Sequence, residues 1–241
     1  MVREDSELSR HLLRAQEVER KRISRELHDE TGQGLMLLRL QLSILATEAQ
    51  SGDLEKRVKE STALLDQTIS GLRRIIGRLS PRALEDLGLA GAIRKEARDL
   101  SKNTGISTRL SVPEQFGDLD PEVEIAVYRC VQEALHNVAK HSLARNVTIE
   151  LHQRGQKLAL VIEDDGIGMS KATQARSKGF GLVGMRERLA VLGGRLRIGR
   201  SKAGGTQLRI TLPIAFASET LKQAPGVGKV LMRHQTMRQA S

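Results

Sequence analysis

The chain has no tryptophan, one tyrosine, three phenylalanines and a single cysteine in 241 residues. So few aromatics leave Leu, Ile, Val and Ala to build any core, a composition that suits long helices with aliphatic seams. The same lack removes the stacking platforms on which nucleic-acid bases are held. With Cys130 alone no internal disulfide can form, and no Cys/His spacing resembles a zinc site. Such a chain suits the reducing cytoplasm, which is the expected location. No apolar run approaches the roughly 20 residues that a membrane-spanning helix needs. The start, Met1-Val2-Arg3-Glu4-Asp5, lacks the apolar segment of a secretory leader. Membrane contact is expected only through a sensor not evident in this sequence or through the C-terminal tail.

What the sequence has in excess is positive charge, with 39 Lys and Arg against 29 Asp and Glu. Basic residues are interleaved with acidic ones from Glu17 to Glu26, the pattern of a solvated helix face, so no direct nucleic-acid partner is expected.

From Ser6 to Ala49 there is no proline, and apolar residues recur at Leu8, Leu12, Ala15, Val18, Ile23 and Leu27, then at Leu35, Leu38, Leu42 and Leu45. This is a helical stripe that would span roughly 60 Å at 1.5 Å per residue. Gly32 and Gly34 are its weak point, each costing about 1 kcal/mol against Ala, so a bend or a functional demand is expected there. Ser51-Gly52-Asp53 reads as a tight turn. A second stripe from Leu54 to Leu79 stops at Ser80-Pro81. The two helices make a hairpin with too much apolar seam to stand alone, and pairing two copies into a four-helix bundle is the economical remedy. A homodimer is expected.

Beyond Pro81 the pattern changes. Ala83–Asn103 reads as a helix, Ser107–Val112 as a strand, and Pro121–His141 as a helix capped by Asp120. Val147–His152 and Leu158–Glu163 form a hairpin pattern around Arg154-Gly155-Gln156. A helix near Met185–Leu192 precedes strands Arg195–Arg200 and Gln207–Leu212. The fold class is α+β: a helical hairpin followed by an α/β sandwich. The expected divisions are 1–82, 83–216 and a flexible basic tail, 217–241.

Four clusters carry chemistry. In the first, His28 and Asp29 are neighbours in mid-helix with Gln33 about one turn below. A neutral imidazole is a nucleophile, and an adjacent carboxylate can orient it and take its second proton. An isolated His-Asp pair is ordinarily just a solvated face. In the second, Glu133, Asn137, Lys140 and His141 share one helix face, opposite the expected core residues Ile125, Val131, Leu135 and Val138. Oxygens of Glu133 and Asn137 suit Mg²⁺ and the lysine suits phosphate, or the set is the polar side of a surface helix. The third, Asp164-Asp165-Gly166-Ile167-Gly168, ends a strand where a carboxylate can accept a bond from an exocyclic amine such as adenine's. The fourth, Gly179-Phe180-Gly181-Leu182-Val183-Gly184-Met185, is a glycine loop feeding a helix, a natural phosphate cradle. Gly204-Gly205-Thr206 adds a hydroxyl nearby, or is only a turn.

Taken in order, Glu133 to Asn137, Asp164 to Gly168, Gly179 to Leu182 and Gly205-Thr206 strongly resemble the nucleotide-binding boxes of the GHKL ATPases, the superfamily of gyrase, heat-shock-90 chaperones, MutL and histidine kinases. The segment Arg22–Asp29 looks like the phosphoacceptor helix of histidine kinases that serve NarL/LuxR-type response regulators, and Gly184–Arg188 has that subfamily's form. The resemblance covers roughly Glu17 to Pro213. It implies a GHKL-type sandwich and an ATP-dependent protein-histidine kinase using ATP and Mg²⁺. His28 would accept the phosphoryl group, Asp29 would act as base, and Gln33 would position water to dephosphorylate the regulator. Asn137 would ligate Mg²⁺ with Glu133 in support, and Lys140 and His141 would contact phosphates. Asp164 would bind adenine, Gly166 and Gly168 would line its pocket, Gly179, Gly181 and Leu182 would belong to the lid, and Thr206 would reach adenine through water.

Two other classes compete. A serine kinase of the anti-sigma type would need neither the hairpin nor His28, and a non-catalytic adaptor would not need His28, Asp29 and Gln33 together.

Overall fold

The computed structural model describes residues 2–48, 52–114, 116–117, 119–169 and 180–214. The expected tail lies outside them. The chain divides into two compact units, Met1–Asp86 and Leu87–Ser241.

The first unit is helical. Helix α1, Val2–Glu26, runs through a wide π-type turn at Leu27–Gly32 into α2, Gln33–Glu48, and α3 spans Gly52–Leu79. Val58, Leu65, Ile69 and Ile76 are the buried residues of α3, a stripe of sevens and fours that turns one face inward. Ser24 Oγ donates to the Ile76 carbonyl at 3.4 Å and Arg39 Nε to Asp66 Oδ1 at 2.6 Å. The partners' numbers run in opposite directions, so the hairpin is antiparallel. Of the expected turn Ser51-Gly52-Asp53, Ser51 lies outside the described residues, and Gly52 and Asp53 open α3. Asp53 and Glu55 in its first turn face the positive end of the helix dipole, and Arg78 in its last turn faces the negative end. Ser80 N still donates to the Ile76 carbonyl, and Pro81 ends the helix, its own carbonyl then receiving Leu84 N and Glu85 N as the next helix begins.

Helix α4, Arg82–Thr104, is broken at Gly88, whose φ of 65° and ψ of 176° lie outside helical space. Only glycine adopts that conformation without strain.

The second unit carries a five-stranded sheet in the order β1-β2-β3-β5-β4. The strands are β1 Ser107–Ser111, β2 Asn146–Arg154, β3 Lys157–Asp164, β4 Arg195–Arg200 and β5 Thr206–Pro213. β1 lies parallel to β2 and every other pairing is antiparallel. Ile149, Leu160 and Ile210 exemplify the alternate residues that are buried, while their neighbours are half-buried or exposed, so one face of the sheet carries the core. The buried sides of α4, α5 (Pro121–Asn137) and α6 (Phe180–Val191) complete the core through residues such as Ile93, Val127 and Leu189. Asp120 caps α5 as expected, accepting Glu122 N at 2.8 Å. Ile125, expected in the core, is only half-buried. Helix α6 starts at Phe180, so Gly181 to Met185 are helical and do not form a loop.

Candidate functional site

The last turns of α5 present Glu133 and Asn137 on one half-buried strip. Asn137 Nδ2 donates to Glu133 Oε1 at 3.3 Å. That bond fixes the amide plane and turns Oδ1 the other way, with no protein donor upon it among the described residues. The helix then widens over Val138–Ser142, where Lys140 and His141 are exposed. Ser142 closes the turn, its Oγ donating to the Val138 carbonyl at 2.8 Å and accepting Ala144 N at 3.0 Å.

Asp164 ends β3 and is 5% exposed. Its Oδ1 accepts Gly166 N at 2.9 Å and Thr206 N at 3.2 Å. Oδ2 has no donor among the described residues. Ser201 Oγ donates to the Asp164 carbonyl at 2.7 Å, pinning the strand end. Glycines make this cradle possible: a Cβ on Gly166 would strike the Ser142 carbonyl, and one on Gly205 would strike both the backbone and the carboxylate of Asp164. Gly168, at φ 73°, turns above the carbonyls of Gly204 and Gly205.

Asp165 has a different task. Its carboxylate accepts Asn146 Nδ2 and the backbone N–H groups of Arg145 and Asn146, each at 2.8 Å. The Asn146 side chain first, and then these backbone donors, hold it below the ordinary carboxylate range. Asp165 thus ties the loop to the start of β2.

The structure therefore gathers Asp164, Gly166, Gly168 and Thr206 at one place, and Glu133 and Asn137 at the end of α5. Ser142 and Gly166 link that end to the Asp164 cradle. Gly181 lies against the Glu133 carboxylate, which a Cβ would hit, and Leu182 beside it is half-buried. Gly179 lies outside the described residues. Ser142 and Ser201 escaped the sequence reading, because a serine bonding to a backbone carbonyl leaves no pattern in spacing. Burial pushes the Cys130 thiol up to about 12, so it takes no part as a thiolate.

In the other unit His28 and Asp29 stand exposed on the wide turn and Gln33 is exposed at its exit, while Ser24, one turn earlier, is 0% exposed. No helix among the described residues is long and apolar enough to cross a membrane.

Residues 122–215 match the family described as histidine kinase-, DNA gyrase B-, and HSP90-like ATPase, and residues 19–84 match a family described as histidine kinase. The chain belongs to the histidine kinases. Relatives of this histidine kinase include the signal transduction histidine-protein kinase/phosphatase UhpB of Salmonella typhimurium, 38% identical over 86% of this chain and 41% of its own. The kinase/phosphatase DegS of Brevibacillus brevis is 35% identical over 88% of this chain and 56% of its own. The oxygen sensor histidine kinase NreB of Staphylococcus carnosus is 33% identical over 83% and 58%. The chain thus spans about half the length of these curated relatives. The second unit is the ATP-binding part of the histidine kinase, an α/β sandwich of the GHKL kind.

Proposed function

We propose that the chain transfers the γ-phosphoryl group of ATP to His28 and then to an aspartate of a NarL/LuxR-type response regulator, and that through Gln33 it also dephosphorylates that regulator. The observation that carries this reading is the Asp164 carboxylate. One oxygen is fixed by two backbone N–H groups and the other is left open, which is the acceptor an adenine amine requires. The names of UhpB and DegS, each a kinase/phosphatase, support the two opposed activities.

Glu133 and Asn137 suit a magnesium ion. The bond between them leaves the Asn137 amide oxygen open, and Mg²⁺ held mainly by phosphates and water needs only one or two protein oxygens. When bound, the ion neutralises phosphate charge. Lys140 and His141 would contact the phosphates, Gly179, Gly181 and Leu182 would belong to the lid, Gly166 and Gly168 would line the base pocket, and Thr206 would reach adenine through water. At the acceptor, a ring nitrogen of neutral His28 bonds to the γ-phosphorus as the bond to the bridging oxygen breaks and ADP leaves. Asp29 takes the proton of the other ring nitrogen.

Residues 1–82 would serve dimerisation and phosphotransfer and 83–216 ATP binding, the tail being accessory, with the work done in the cytoplasm. Replacing His28→Gln tests the reading. ATP still binds, while acid-labile, base-stable label from γ-labelled ATP disappears. Label persisting at an unchanged level would refute the phosphohistidine.

A further inference from the structure

The helix that carries His28 takes in one residue more than its packing allows. Along α1 and α2 the half-buried residues Leu13, Arg20 and Leu27 are seven apart, as are Leu35 and Leu42. Seven residues of α-helix make close to two whole turns, so such a row stays on one face. From Leu27 to Leu35 the step is eight. A second row repeats the pattern: Glu17 to Ser24 is seven, Ser24 to Gly32 is eight, and Gly32 to Arg39 is seven. Ser24 and Arg39 both bond to α3. On α3 the buried pairs Val58 to Leu65 and Ile69 to Ile76 keep the step of seven without interruption. The extra residue therefore belongs to the first strand of the hairpin alone, and both rows place it in the same turn. That turn is Leu27–Gly32, where the winding widens, while Glu26 before it (φ −58°, ψ −46°) and Gln33 after it (φ −66°, ψ −42°) are ordinary α-helix.

We infer that the wide turn Leu27–Gly32 is a positioning element that brings Gln33 onto the same helix face as His28. The inference rests on the proposed function for the roles of these two side chains, but not for their placement. In a regular α-helix, residues five apart stand about 140° apart around the axis. Because the turn absorbs one residue, the offset between His28 and Gln33 falls to about 40°, that of an ordinary i, i+4 pair. The acceptor imidazole and the amide then look out on the same docked partner. Gly32 and Gly34 assist by composition, not by size. A Cβ on Gly32 would meet only the Leu27 carbonyl at 3.6 Å, and one on Gly34 would meet nothing within 4 Å. Their poor α-helix preference, about 1 kcal/mol each, lowers the cost of an irregular turn.

The geometry can be tested without reference to catalysis. Two histidines one turn apart on a helix face chelate zinc. In the full chain, Gln33→His is expected to bind one zinc ion more than the wild type, and the double change His28→Gln, Gln33→His to lose it. An unaltered zinc stoichiometry in Gln33→His would overturn the inference, since a regular helix holds the two rings too far apart. The same zinc, occupying His28, should lower labelling of Gln33→His from γ-labelled ATP at least about tenfold, reversed by a zinc-selective chelator. If the extra zinc binds but no protein, wild type included, ever labels, the placement stands and the proposed function fails.

Discussion

Asp164 and Asp165 are adjacent carboxylates that the fold sends to opposite tasks. Asp164 is buried and keeps one oxygen open, so Asp164→Asn would turn a donor toward the adenine amine. A hydrogen bond to a charged group contributes about 1.5–3 kcal/mol, and ATP affinity by calorimetry should fall by roughly one to two orders of magnitude. Asp165 faces three donors that lower its pKa. A carboxyl lowered on folding contributes stability above its unfolded value, near 3.9, and loses it as pH falls through the lower folded value. The stability deficit of Asp165→Asn, measured by urea unfolding, should therefore be present at pH 7 and shrink below about pH 4. Spacing in the sequence marked both aspartates as one motif. The family resemblance singles out Asp164 for adenine, but the task of Asp165 is not legible, because it depends on Arg145 and Asn146, which only the fold brings alongside. Gly181→Ala makes a third case. The added methyl meets the movable end of Glu133, so melting should change little, while displacement of that carboxylate from Asn137 weakens Mg·ATP binding relative to ATP alone. Equal weakening with and without magnesium would contradict the pairing.

Elements with a strict period were read correctly from the chain. The β2–β3 hairpin followed from alternation about Gly155, and α5 from Asp120 and Pro121. Removing that cap, Asp120→Ala, should cost about 1 kcal/mol in unfolding free energy. The start of α6 was read too late, because Gly181 and Gly184 argue against helix locally and only contact with Glu133 argues for it. The irregularity expected at Gly32 and Gly34 takes the form of the wide turn ending at Gly32, whereas the second wide turn, Val138–Ser142, leaves no sign in the sequence. The eight-residue gap between Leu27 and Leu35 is visible in the row of apolar positions, and it marks the turn that carries His28.

At the scale of the molecule, the helical unit covers only part of its own apolar surface. Val58, Leu65, Ile69 and Ile76 are buried within one chain, whereas Leu40, Ile44 and Leu54 remain half or more exposed and Leu64 is 67% exposed. Apolar residues exposed along both α2 and α3 are costly to leave in water, at about 25 cal/mol per Å², and a second copy of the hairpin offers a matching seam. Light scattering on the full chain should therefore give twice the 26.6 kDa chain mass. Leu64→Asp places a charge in that seam and should shift the mass toward the monomer. ATP binding belongs to the unit with its own sheet and core, so its affinity should stay within about twofold in the variant, a change under 0.5 kcal/mol. A wild-type chain that is monomeric at tens of micromolar would remove the dimer from the proposal while leaving the ATP site intact. Loss of dimer and nucleotide binding together would mean that the two units do not fold independently.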